Sequence, residues 1–277
     1  MIANEYVNRA IEYILNHIGE EISVDEVAKH CNFSKYYFSR LFKMTTGEGI
    51  YEYIKRVKME QSAFRLKVEK GRSITDIGSE YGYSASNYSS VFKQHHHVSP
   101  IEFRRSVIDR SLIHPIYNYA GTQLETYEDC DAKISIEYLQ DCPVIYERYI
   151  GNYEDLSANW GAFQDKYREY ITDKTLMIER TFDDPSITDK NKCLYDLCIS
   201  VDINCLVENT YILTGGKFAI YHYKGFMEEI YSAYQSIFNV WIAQSGYSID
   251  ERYGFEIYRK VDCSSMYMEI DICIPIK

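Results

Sequence analysis

The chain has 277 residues, enough for two domains or one large one. Its formal net charge of −11 is unevenly placed: residues 1–110 carry +2 and residues 111–277 carry −13, so the first part can approach a polyanion while the second suits something neutral or cationic. No uncharged apolar run approaches the roughly 18 residues of a membrane span, the acidic, amphipathic start is not a signal peptide, and eight irregularly spaced cysteines without a CxxC pair favour reduced thiols in a cytoplasmic protein over disulfides or zinc.

Apolar residues at Tyr6, Val7, Ala10, Ile11, Ile14, Leu15 and Ile18 give the first helix one buried stripe. SVDEVAKHCNFSKYYFSRLFK then reads as two helices joined by a tight turn. Ser23 caps the first, with Glu26 completing a capping box. Asn32 sits where the turn needs positive φ, and Ser34 caps the second helix. There Phe38, Leu41 and Phe42 point inward at i, i+3, i+4, leaving Lys35, Tyr36, Ser39, Arg40 and Lys43 outward. Such a face fits a DNA major groove. YEYIKRVKMEQSAFRLKV continues as a long amphipathic helix.

SITDIGSEYGYSASNYSSVFKQ repeats the unit without a gap at an offset of 50, with Gly82 at the turn and Ser84 as cap. Core positions match: Phe38 with Tyr88, Leu41 with Val91, Phe42 with Phe92. Lys35-Tyr36-Tyr37 becomes Ala85-Ser86-Asn87. A shared core with a varied surface is the mark of a duplicated structural unit, and paired readers suit successive major grooves about 34 Å apart. His95, His96 and His97 point in different directions around a helix, so they read as favourable charges at a helix C-terminus rather than as a metal site.

VAKHCNFSKYYFSRLFKMTTG, YIKRVKMEQSAFRL, ITDIGSEYGY and VSPIEFRR stand in the order found in AraC/XylS-type bacterial transcription regulators, whose DNA-binding domain residues 5–106 resemble. The resemblance implies seven helices holding two helix-turn-helix units, with the second helix of each in the groove. It points to Tyr36, Tyr37, Ser39 and Arg40 as contacts in the first unit. The second unit departs from the family pattern: its helix is one residue shorter, and His96-His97 replaces the usual Phe-Gly. Its expected contacts are mostly to phosphate, through Lys93 and the backbone, with Ser86, Asn87 and Ser90 as candidate base readers.

Residues 109–132 lack clear periodicity, contain Pro115 and Gly121, and read as a linker between a domain at 1–108 and another at 133–277. Beyond it, alternation marks strands in KISIEYL, PVIYERYIG, CLYDLCISVDI, KFAIYHYKG, FEIYRKV and YMEIDICIPI, with helical runs between them. This half also repeats: residues 144–160 align on 218–234, pairing Trp160 with Tyr234. Two strand–helix–strand–strand units about a pseudo-twofold leave a groove between them, so the expected class is multidomain: all-α, then α+β with an antiparallel sheet. The candidate ligand residues are Trp160, Tyr195, Tyr221, Trp241, Glu256 and Tyr258; core packing is the alternative reading of these aromatics.

YIGNYEDLSANW, DDPSITDKNKCLYDLCISV, GGKFAIYHYKGFMEEIYSAY and FEIY resemble the GyrI-like effector-binding domain, also found in Rob-type and BmrR-type regulators. The resemblance implies multidrug-type sensing of bulky, often cationic, aromatic molecules, with Glu256 at the acidic position of the groove. A carboxylate among aromatic rings is costly unpaired, and a delocalised cation satisfies it while stacking. The expected partners are double-stranded DNA, a small-molecule effector and RNA polymerase, without a cofactor, a metal or a membrane. Two alternatives stay open: a GyrI-like small-molecule hydrolase, and a drug-sequestering protein whose DNA-binding domain has degenerated.

Overall fold

The computed structural model describes residues 1–113 and 122–277; Pro115 and Gly121 lie outside them. The chain divides into two units, Met1–Ile108 and Asp109–Lys277. The first is helical: α1 Glu5–Asn16, α2 Val24–His30, α3 Lys35–Thr46, α4 Ile50–Val68, α5 Ile74–Glu80, α6 Ala85–His96 and α7 Pro100–Ser111. Ser23 forms the expected capping box with Glu26. Ser34 and Ser84 stand at the N-cap positions of α3 and α6 without a side-chain cap bond. Asn32 and Gly82 take positive φ, 62° and 81°, at the two turns.

The two copies agree closely. Along residues 31–50 and 81–100 the pattern of buried, half-buried and exposed positions differs at one place, where Ser39 is half-buried and Ser89 exposed. Helices α3 and α6 have the same length of 12 residues, so the second helix is not short relative to the first. Helix α6 also ends in a left-handed cap. His97 takes φ 62° where Gly47 takes 82°, and each donates its N–H to the carbonyl four residues back, Lys93 or Lys43. The backbone bond survives the missing glycine because histidine tolerates this region at a modest cost.

Helix α4 joins the copies and carries buried charge. Arg56 pairs with Glu48 at 2.5 Å and with Glu60 at 2.8 Å. Lys58 donates to the carbonyls of Glu20 at 2.6 Å and Tyr81 at 3.1 Å. These bonds tie the end of α5 to α4 and so fix how the second turn presents α6.

Residues 122–132, read as linker, include α8 Tyr127–Asp131, capped by Thr126. This segment is fastened to the sheet unit: Trp241 donates to Asp131 at 2.8 Å, and Tyr221 to Glu125 at 2.6 Å. The sheet strands are β1 Ile134–Leu139, β2 Cys142–Gly151, β3 Met177–Thr181, β4 Cys193–Ser200, β5 Thr210–Leu213, β6 Gly216–Phe226, β7 Phe255–Asp262 and β8 Tyr267–Pro275. Helix α9, Leu156–Lys166, follows β2; helix α10, Ile230–Ser236, follows β6. Strands β3 and β5 lack clean alternation, since MIERT has a Glu-Arg centre and TYIL is four residues long.

Every described pairing in the sheet is antiparallel, and the order is β1-β6-β8-β7-β3-β4-β2-β5. Read from either end, the sequence of roles is the same: β2, β3 and β4 of one repeat answer β6, β7 and β8 of the other. The pseudo-twofold passes between β3 and β7, the central pair. One face of the first repeat buries Ile145, Tyr149, Tyr195, Leu197 and Ile199 against Phe163 and Tyr167. The other face buries Val144, Ile178, Cys198, Phe218, Ile257 and Cys273. That second face also holds Arg148 and Asp196, both fully buried, joined by two 2.7 Å bonds.

Candidate functional site

The helical unit presents α3 and α6. On α3, Lys35, Tyr36, Tyr37, Arg40 and Lys43 are exposed and Ser39 is half-buried, while Phe38 and Phe42 are sealed in the core. Tyr36 is 84 % exposed, a large ring with no place in the core. Tyr37 is partly held by stacking on Phe33, ring centroids 5.2 Å apart. On α6, Ser86, Asn87, Ser90 and Lys93 are all exposed, above a core of Tyr88 and Phe92. The fold therefore puts both sets of candidate residues on equivalent surfaces. The first surface is bulky and basic; the second is small and polar.

The three histidines have separate surroundings. His96 sits 3.2 Å from the Met59 carbonyl and His95 3.8 Å from Glu60, while His97 is exposed. Among the described residues, no group of three or more His, Cys, Asp or Glu is placed to hold a metal. No described helix is long and apolar enough to cross a membrane.

In the sheet unit the axis itself carries the chemistry. Glu256 on β7 lies directly opposite Glu179 on β3. Their cross-strand neighbours on the other side, Ile272 and Leu197, are equivalent in the two repeats, because β8 and β4 pair with β6 and β2 in matching register. Glu179 is thus the repeat mate of Glu256. The two carboxyls are 1 % and 5 % exposed. Tyr258 donates to Glu179 at 2.7 Å, and Tyr234 on α10 donates to Glu256 in a short hydrogen bond.

Aromatic rings surround the pair. Trp160 on α9 meets Tyr258 edge-on at 5.3 Å, and its indole N–H has no partner among the described residues. Tyr195 is stacked between Tyr149 and Tyr153, at 5.4 and 5.1 Å, and accepts from Asn159 at 2.8 Å. Burial pushes both carboxyls up from the ordinary value, and for Glu179 the neighbouring Glu256 charge adds to it. Burial likewise raises Tyr153, Tyr234 and Tyr258, and carries Tyr195 to about 12. The phenols therefore stay protonated and act as donors.

Of the sequence-derived candidates, the fold brings Trp160, Tyr195, Glu256 and Tyr258 together. Tyr221 and Trp241 lie elsewhere, as buried anchors for residues 125 and 131. Glu179, Tyr153 and Tyr234 complete the cluster without being among those candidates. The alignment of Trp160 with Tyr234 already marked one of them. Glu179 had no such mark, because its strand was not legible.

The chain is thus a tandem helix-turn-helix unit followed by a duplicated strand–helix–strand–strand unit. Residues 132–277 match the GyrI-like small molecule binding domain, and residues 27–106 match a helix-turn-helix domain. The regulatory protein PocR of Salmonella typhimurium is 34 % identical over 110 residues, covering 39 % of this chain but 35 % of PocR. The regulatory protein SoxS of the same organism is 31 % identical over 105 residues, covering 38 % of this chain and 97 % of SoxS. Among solved structures, the C-terminal domain of AraT, a response regulator from Geobacillus stearothermophilus, is 30 % identical, covers 37 % of this chain and 86 % of that domain, and has a TM-score of 0.36. The chain belongs to the AraC-type helix-turn-helix family and carries a GyrI-like small molecule binding domain.

Proposed function

We propose that the chain is a bacterial transcription regulator. Its helical unit binds double-stranded DNA through α3 and α6. Its sheet unit binds a bulky aromatic cation at Glu179 and Glu256, and occupancy alters DNA affinity or contact with RNA polymerase. Such a regulator works in the cytoplasm. The observation that carries the sensor reading is the buried carboxyl pair, set among Trp160, Tyr153, Tyr195, Tyr234 and Tyr258. No described Lys, Arg or His pairs with either carboxyl, and an aromatic cation supplies both the missing charge and stacking area.

A hydrolase reading finds less support. Ser135, His222 and Asp271 do line up, at 3.0 and 2.7 Å. Yet Ser135 gives its proton to Glu137 at 2.7 Å, and Asp271 is shared with Arg259 at 2.7 Å. The set is a surface hydrogen-bond chain, with its serine proton already spent.

Dimethylbiphenyl and N-methyl-tolylpyridinium have the same shape, and only the second is charged. Glu256→Gln keeps the side-chain shape and removes the acid. It should weaken the cation by about 1–3 kcal/mol and the neutral compound much less. Calorimetry with both compounds, and DNA titration with and without the cation, test the reading. Equal losses for both compounds refute a charge-reading site. A cation that binds without changing DNA or polymerase binding refutes the regulatory coupling.

A further inference from the structure

Glu179 and Glu256 oppose each other in the β3–β7 ladder. Opposed side chains there stand about 5 Å apart at Cβ. The groups that bear on them come from every neighbouring element. Tyr234 comes from α10, Tyr258 from β7, and Tyr153 from the turn before α9, while β4 supplies Tyr195. Asp183 bears on Tyr153 and Asp155 on Tyr195. Each of these groups is neutral or acidic, and none brings a positive charge. Two hydroxyl protons, from Tyr234 and Tyr258, serve one oxygen on each carboxyl. Two adjacent carboxylates in such a sealed place cannot both ionise without a compensating charge.

We infer that Glu179 and Glu256 form a proton-sharing dyad whose proton count sets the charge of the ligand it takes: a monocation binds with the shared proton in place, and a ligand with two positive centres binds by displacing that proton to solvent. This rests on the cation-sensor reading above and deepens it. The ligand-free dyad carries one negative charge and one proton, matching a single positive charge. A second positive centre stabilises the second carboxylate and makes the proton superfluous. The upward push of burial on both groups agrees with a retained proton. The site therefore discriminates by pH. Its affinity for monocations is level across the neutral range, and its affinity for dications climbs as pH rises.

The test uses the full chain and two probes of one shape that do not titrate, N-methyl-tolylpyridinium with one charge and methyl viologen with two. Calorimetry in buffers of different ionisation enthalpy counts the protons released. The monocation should release close to none. Methyl viologen should release about one, and its affinity should gain about tenfold per pH unit near neutrality. In Glu179→Gln the gain with pH should vanish, whatever affinity for the cations the variant retains. The empty wild-type chain should show the infrared band of a protonated carboxyl at neutral pH, and that band should be missing when both residues are Gln. Equal proton release by both probes, none with methyl viologen, or no such band overturns the dyad and leaves the sensor reading standing. Failure of both cations to bind overturns the two together.

Discussion

Gly47 and His97 occupy the same position in the two helix-turn-helix copies, and exchanging them isolates a backbone effect. Both residues are left-handed, at φ 82° and 62°, and both close the same N–H bond to the carbonyl four residues back. A side chain in this region costs about 1–2 kcal/mol, towards the low end for histidine. Glycine returns about 0.4–1 kcal/mol of that through its freer unfolded chain. His97→Gly should therefore stabilise the helical unit by about 0.5 kcal/mol. His97 is exposed, so the change removes no packing. Gly47→His should destabilise by a similar amount, since a Cβ built at Gly47 meets nothing within 4 Å and adds no clash. Urea unfolding of the full chain, followed by helical circular dichroism, gives both numbers from the transition of the helical unit. If His97→Gly leaves that transition unmoved or lowers it while Gly47→His is tolerated, conformational cost does not govern these caps.

Other expectations follow from the same geometry. Arg40→Ala should cost about 1–3 kcal/mol on a specific site and little on random DNA, as read by fluorescence anisotropy; equal losses on both would reduce Arg40 to a phosphate contact. Asn87→Ala on the small polar face of α6 should matter less than Tyr36→Ala, and a footprint with strong preference in both half-sites would contradict this. Asp196→Asn breaks the fully buried pair with Arg148 and should destabilise by about 3–5 kcal/mol. His222→Gln at the equivalent, more exposed His222–Asp271 pair should cost no more than about 1 kcal/mol in the same unfolding experiment. For Glu179 and Glu256 the folded chain holds protons longer than the unfolded chain. Their contribution to stability is present at low pH and is lost as pH rises from the ordinary 4.5 through the pair's own titration. Unfolding free energy measured from pH 4 to 8 should show this decline, and Glu179→Gln should flatten it.

Much of this was legible because periodicity and duplication are written locally. The helical stripe of α1, the capping box at Ser23 and the positive φ at Asn32 depend on neighbours a few residues away. The inward set Phe38 and Phe42 and its copy Tyr88 and Phe92 could be read for the same reason. What escaped depends on distant partners. Strand β3 hides Glu179 because a Glu-Arg centre breaks alternation, and its burial comes from β7 and β4 on either side. Tyr221 and Trp241 looked like their fellow aromatics, but their hydroxyl and indole groups find Glu125 and Asp131, about a hundred residues earlier. His97 escaped differently: histidine enters the left-handed region more readily than most residues, but any residue other than glycine is uncommon there.

The two duplications constrain later change in opposite ways. In the helical unit the copies stand in tandem, and each keeps its own exposed face over its own core. Tyr36 and Arg40 can stay while their counterparts become Ser86 and Ser90, because neither face shares a residue with the other. In the sheet unit the copies meet at the axis, so one residue type from each repeat enters the same site. A carboxylate placed next to such an axis confronts its own copy, and Glu179 and Glu256 do so from adjacent strands. Replacing either one alters the charge, and hence the proton affinity, of its partner. Divergence there cannot be silent as it is on α6. The small polar face of α6 is a local variation that leaves α3 intact, whereas any change at either carboxyl redefines what the shared site can hold.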